Sequence, residues 1–201
     1  MLIFSIFYYK KNILFLFFIL VSQGLFGCEN KFLTQLNNYA NVSSLNSVDI
    51  IKNITEDNDL NLCNTDNFLL SEDNANVYEL SKTEYVVEVF CFVGAYQGSY
   101  QFLFYDANQV EHQISGLSFT VFEETGNGLQ IIETSLLTGS VEFDPEMMLL
   151  MVDRKARGLG DCGSYGVYRW ENNSFVLAEY RYKGECDGVY IPVEDYPLIY
   201  P

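Results

Sequence analysis

The chain has 201 residues and a mass of 23.1 kDa, enough for one domain or a domain with an appendage. Eleven Lys and Arg stand against 27 Asp and Glu, a formal net charge of −16, which excludes the basic stripe that a nucleic-acid binder needs to displace counterions. Hydrophobic residues at 49% and aromatics at 16% exclude a disordered chain.

Lys10 and Lys11 precede an apolar run from Ile13 to Val21, followed by small residues. A positive flank, a short apolar core and a small-residue cut site read as a bacterial export signal over residues 1–27. The core is short for a membrane-spanning helix, which needs about 20 apolar residues. Leu25-Phe26-Gly27-Cys28 resembles a lipobox, in which Cys28 becomes the diacylated first residue of the mature chain. The alternatives are ordinary cleavage nearby, giving a secreted protein, and an uncleaved anchor. The expected location is the bacterial envelope, periplasmic or membrane-anchored through lipid. The mature chain would carry nine basic and 27 acidic groups, a net of −18. Solvated acidic faces are the simplest reading of that excess.

Residues 28–60 read as a helical or tethering segment. Phe32, Leu33, Leu36, Tyr39 and Ala40 fall near helical spacing, and Leu45, Val48, Ile51 and Ile54 do so less clearly. Asn53 to Asn76 is rich in turn-forming Asn, Asp and Glu. Residues 61–201 read as a disulfide-braced β-rich domain. Tyr85 to Val93 is β-branched and aromatic, suiting a buried strand. Tyr100 to Tyr105 follows, then a loop at Asp106–Gln109 and a short strand from Val110 to Ile114. Leu117, Phe119 and Val121 alternate with polar residues, and Thr125-Gly126-Asn127-Gly128 turns that strand into Leu129–Thr134. Asp144-Pro145 precedes Met147–Val152. Tyr165–Trp170 and Phe175–Tyr182 form the clearest hairpin, turning at Glu171–Ser174. The expected fold is mainly β, an antiparallel sheet or sandwich-like domain with short N-terminal helical segments. The alternative is α+β.

Export would let Cys63, Cys91, Cys162 and Cys186 oxidise, and their even number favours two disulfides. Three connectivities are open. Cys162–Cys186 is preferred because the intervening segment reads as one hairpin that returns the chain to its origin, which leaves Cys63–Cys91. A zinc site lacks the close-spaced ligand pairs it needs. A catalytic thiol lacks a base, since His112 is the one His, and that ring reads as a partly buried strand residue beside Val110 and Ile114.

Gly158-Leu159-Gly160-Asp161-Cys162-Gly163 matches the dinucleotide fingerprint by letter, but the strand-like Ser164–Trp170 follows where that motif needs a helix. The glycines read as a tight loop around a bridge. Arg154, Lys155 and Arg157, with Gly158, Gly160 and Asp161, are the candidate loop for an anion or ligand. Asp57-x-Asp59-x-Asn61 begins like a calcium loop, yet Leu62 and Phe68 replace the required Gly and Glu. Glu123, Glu124, Asp153 and Glu171 are acids near strand ends, the raw material of a hydrolase if two of them face each other. Trp170 reads as core packing. No catalytic residue, metal or cofactor is assigned.

Cys91-Phe92-Val93-Gly94-Ala95-Tyr96-Gln97, the run Ala156-Arg157-Gly158-Leu159-Gly160-Asp161-Cys162-Gly163, then Trp170, Cys186-Asp187-Gly188 and the tail from Tyr196 to Pro201 resemble the exported bacterial family catalogued as domain of unknown function 1176. The resemblance covers residues 85–201. It implies an envelope location and an oxidised Cys162–Cys186 pair, and carries no catalytic residues. The expected function is a non-catalytic binding lipoprotein of the envelope, recognising a glycan, peptide or protein. A hydrolase using strand-end carboxylates and a structural or assembly lipoprotein are the alternatives.

Overall fold

The computed structural model describes residues 45–57, 59–65, 68–108 and 112–201. The expected leader, Cys28 and the periodic run around Phe32 and Tyr39 lie outside them. Helix α1 spans Ser47–Glu56, and a 3₁₀ turn covers Leu62–Asn64. Eleven strands follow: β1 Ala75–Glu79, β2 Glu84–Val93, β3 Gly98–Asp106, β4 Gln113–Gly116, β5 Phe119–Thr125, β6 Gly128–Thr134, β7 Leu136–Asp144, β8 Leu149–Lys155, β9 Gly163–Glu171, β10 Ser174–Lys183 and β11 Leu198–Tyr200. The expectation of a mainly β, antiparallel fold is met.

Nine strands form one sheet in the order β1-β2-β3-β7-β8-β9-β10-β11, with β4 also beside β3. One edge of β3 is shared. Gly98–Gln101 pairs with β7 and Leu103–Asp106 pairs with β4. The β5–β6 hairpin leaves the sheet as a separate two-stranded ribbon.

The two faces of β2 and β3 are both covered, which is why these strands read as near-continuous apolar runs rather than alternating ones. Tyr85, Val87, Val89, Leu103 and Tyr105 pack with Ile50, Ile51 and Ile54 of α1 and with Leu62 and Leu70. Asn46 caps α1 by accepting from the Asp49 N–H at 2.9 Å. Val86, Phe102 and Phe104 face the other way, into a core shared with the ribbon and with β7 to β10. The latter strands alternate instead, as in β8, where Leu150 and Val152 are buried.

Two bulges change which way side chains point. The β2–β3 register shifts between Phe90 and Phe92, at Cys91, whose sulfur bonds Cys63 beside the helical layer. The β9–β10 register shifts between Leu177 and Glu179, at Ala178. An extra residue reverses the in–out alternation of a strand, so Phe175 and Leu177 before the shift, and Tyr180 after it, all enter the same core. The turn of this hairpin places Asn172 and Asn173 at φ +51° and +60°, the left-handed pair that a two-residue hairpin loop requires.

His112 differs from its expected place. It lies outside β4, is exposed, and stacks on the Tyr105 ring at 5.4 Å between centroids. The β4 pairing begins only at Gln113, opposite Asp106, so no partner strand covers the imidazole. Trp170 packs as expected, against Phe175 at 4.9 Å and Phe104 at 5.6 Å. Among the described residues, no helix is long and apolar enough to cross a membrane.

Candidate functional site

The six residues of the anticipated anion loop do not converge. Strand alternation sends neighbours on β8 to opposite faces, so Arg154 points to the ribbon side and lines a cleft there with Val152. Lys155 lies along the loop instead, where its stem would meet a Cβ placed on Gly160 at 3.3 Å. Gly160 itself sits at φ +72°, a conformation glycine adopts without cost. Tyr96 lies over Gly158, and its hydroxyl donates to the Ala156 carbonyl at 3.1 Å.

Arg157 and Asp161 are spent on each other. The guanidinium donates to both Asp161 carboxylate oxygens and, at 2.8 Å, to the Cys186 carbonyl. The Asp161 carboxylate is buried and also accepts from the Gly188 N–H at 2.6 Å. Lys183 ties the same two segments, donating to the Asp161 and Glu185 carbonyls and to Asp187 Oδ1 at 2.7–2.8 Å. Cys162–Cys186 closes the assembly with Cα atoms 5.0 Å apart. The glycine-rich run is therefore a structural knot, as is Cys63–Cys91, whose Cα atoms lie 5.4 Å apart. Both bridges match the preferred connectivity.

The Arg157 guanidinium, followed by the Gly188 N–H, holds the Asp161 carboxyl well below the usual carboxylate range. A depressed pKa in the folded state contributes stability above the unfolded value near 3.8, and that stability is lost as pH falls further. Wild-type protein should lose melting temperature steeply below pH 4, whereas Asp161→Asn should start lower and show a flatter acid limb. Parallel limbs in calorimetric scans from pH 2 to 7 would show that Asp161 contributes nothing to the acid sensitivity.

The ribbon covers the sheet through tyrosine hydroxyls. Tyr168 donates to the Thr120 carbonyl at 3.0 Å and Tyr180 to the Phe122 carbonyl at 3.1 Å. Tyr182 donates to Glu124 Oε2 at 2.6 Å. Burial, with Glu124 second, pushes the Tyr182 phenol up to about 12. These contacts land on alternate residues of β5, whose outer edge would otherwise present unpaired carbonyls. Phe119 anchors the ribbon below them, fully buried among Phe102, Tyr168 and Phe175.

Between ribbon and sheet lies a cleft of about 230 Å³. Its walls are Val121, Ile132, Leu136, Leu137 and Val152, and its polar groups include Glu123, Thr138, Arg154, Ser164 and Tyr180. Ser164 and Gly166, small residues on β9, leave the floor open beneath the ribbon. A second hollow continues past Arg154 and Ser164 to Glu124 and Tyr182. Burial raises the Tyr180 phenol, while the Ser164 hydroxyl and the Arg154 charge beside it act to lower it.

Arg154 stands apart from the other three arginines. Arg157 pairs with Asp161, Arg169 with Glu171 at 3.6 Å, and Arg181 with Glu179. Among the described residues Arg154 has no carboxylate within 4.0 Å. The strand-end acids separate as well. Glu123 and Glu124 border the cleft and its extension, Glu171 pairs with Arg169, and Asp153 sits next to Arg154 on the opposite face of β8. Burial raises the Asp153 carboxyl and Lys155 partly offsets this. A further buried acid, Glu88, accepts from Tyr78 at 2.9 Å and Asn76 at 3.3 Å and is satisfied within the sheet. No group of three metal-ligating side chains occurs among the described residues.

Fold and site together define a disulfide-braced antiparallel sheet domain with a ribbon-covered cleft around one arginine. The chain belongs to the family of proteins of unknown function designated DUF1176, whose sequence profile matches residues 34–201. The match extends the resemblance read from the sequence toward the N-terminus, through α1. No curated protein and no solved structure matches the chain.

Proposed function

We propose that this chain is an exported, lipid-anchored envelope protein that binds a ligand in the Arg154 cleft without converting it. The observation that carries this reading is a half-buried arginine facing a concave site with no carboxylate partner among the described residues. Three features support it. The leader ends in a lipobox-like Leu25-Phe26-Gly27-Cys28. Two disulfides suit an oxidising compartment. The cleft is walled by strands rather than loops, so it is held rigidly, and its lining carries one carboxylate, Glu123, where the hydrolase reading needs a facing pair.

Two measurements test the reading. Tagged wild-type protein should fractionate with bacterial membranes, and Cys28→Ala should release it to the soluble envelope fraction. Cytoplasmic recovery with an intact leader and alkylatable thiols would refute export. The processed protein should gain melting temperature with the low-molecular-weight fraction of an envelope extract. A site filled to 100 times its dissociation constant adds about 2.7 kcal/mol. Mass spectrometry should return the bound compound unaltered; a cleaved compound would favour the hydrolase.

A further inference from the structure

We propose that the cleft is a carboxylate site for a small zwitterion, an amino acid or short peptide, with Arg154 as anchor and Glu123 opposite the ammonium group. This rests on the binding reading above and adds the chemical class of the ligand.

The charge census makes Arg154 unusual. Acids outnumber bases 27 to 11 in this chain, and the other three arginines each find one. A half-buried guanidinium that is left unpaired loses hydration without compensation, so the site is completed by an anion. The planar fork of arginine fits a carboxylate through two parallel hydrogen bonds.

The remaining donors narrow the choice. The Tyr168 and Tyr180 hydroxyls are committed to ribbon carbonyls, Thr134 donates to the Leu136 carbonyl, and Thr138 is bonded to Ser99 at 3.0 Å. The Ser164 hydroxyl is turned to the Tyr180 phenol, which leaves Arg154 to meet a ligand oxygen. Such a donor set suits one carboxylate and is too sparse for the ring of hydroxyls on a sugar.

Size and field point the same way. At about 230 Å³ the cleft falls below the range of drug-sized sites, about 300–1,000 Å³. Its aliphatic wall of Val121, Ile132, Leu136 and Val152 can take a short side chain. The acidic protein opposes a multiply charged anion, although screening over about 8 Å at physiological salt limits this. A zwitterion carries no net charge and escapes the penalty. Glu123 lines both hollows beside Arg154, so the two charges needed to read a zwitterion border one space.

The test uses the processed protein purified from the envelope, titrated calorimetrically with dialanine in both enantiomeric forms, with dialanine amide and with N-acetyl-dialanine. Dialanine of at least one hand should bind. Removing its carboxylate as the amide, or changing Arg154→Gln, should weaken binding by about 10- to 100-fold, the range for a charged hydrogen bond. Arg154→Lys should fall between. N-acetylation should weaken binding to wild type, and Glu123→Gln should then cost nothing more. Melting temperatures of the free variants verify folding. Equal affinity of wild type and Arg154→Gln for dialanine overturns the proposal, as does equal binding of the acid and the amide. An extract compound that loses affinity with Arg154→Gln but carries no carboxylate overturns the carboxylate assignment and leaves the binding reading standing. Failure to bind either the probes or any extract compound overturns both.

Discussion

Replacing Cys162 and Cys186 together by serine should lower the stability of the protein by about 3–4 kcal/mol. The two cysteines are 24 residues apart, and the loop they close contains the whole β9–β10 hairpin. In the chain-entropy account the bridge acts on the unfolded state, which loses the freedom of that loop. The folded state adds to the effect, because Arg157, Asp161 and Lys183 join the same two segments and depend on their proximity. For a domain of 150–250 residues each kcal/mol corresponds to about 2–4 °C in melting temperature, so calorimetry should record a fall of roughly 6–16 °C. A fall below about 2 °C would show that the polar contacts hold the knot without the bridge.

Phe119→Ala should cost about 3–5 kcal/mol, the range for deleting a buried aromatic side chain. Phe119 has no exposed surface, and its ring meets Phe102 at 5.6 Å, Tyr168 at 5.4 Å and Phe175 at 5.7 Å. It is the main apolar attachment of the ribbon to the sheet. The tyrosine hydroxyls above it direct the ribbon, but each net hydrogen bond contributes only about 1 kcal/mol. Ile131→Ala on the outer strand of the ribbon is the control. That side chain is 63% exposed, and its truncation should stay within about 0.5 kcal/mol. Urea titration reads both, with the midpoint moving for Phe119→Ala. Equal midpoints for the two variants would mean that the ribbon contributes no stability to the sheet.

Much of this fold was legible because its signals are local. The alternation from Leu117 to Val121, the Gly-Asn-Gly turn at 126–128 and the Asn172-Asn173 turn each act over a few residues, and each marks an element where it occurs. An even number of cysteines around a hairpin anticipated both bridges. The run from Arg157 to Gly163 and the tail after Tyr196 carried the family.

The site was not legible, because it depends on side-chain parity and on strands far apart in sequence. Arg154 and Arg157 look like neighbours in a basic cluster. One faces the ribbon and the other closes the disulfide knot, since β8 sends alternate residues to opposite faces and then ends. Leu177 and Tyr180 on β10 differ by an odd number of positions, which plain alternation would send to opposite faces, and only the register shift at Ala178 brings both into one core. A bulge leaves no mark in composition.

By itself the sequence determined most of the strands, their turns and the pairing of the sulfurs, since backbone preference and loop closure are set within short stretches of chain, whereas β1, β7 and β11 went unread. The tertiary structure alone decided that β5 and β6 fold over the sheet and that Arg154 is left facing the space beneath them. Those outcomes come from strands choosing partners across 30 to 60 residues, as when Tyr168 meets Thr120 and Tyr180 meets Phe122. Such choices are governed by which apolar faces remain to be covered once the nearer pairs have formed.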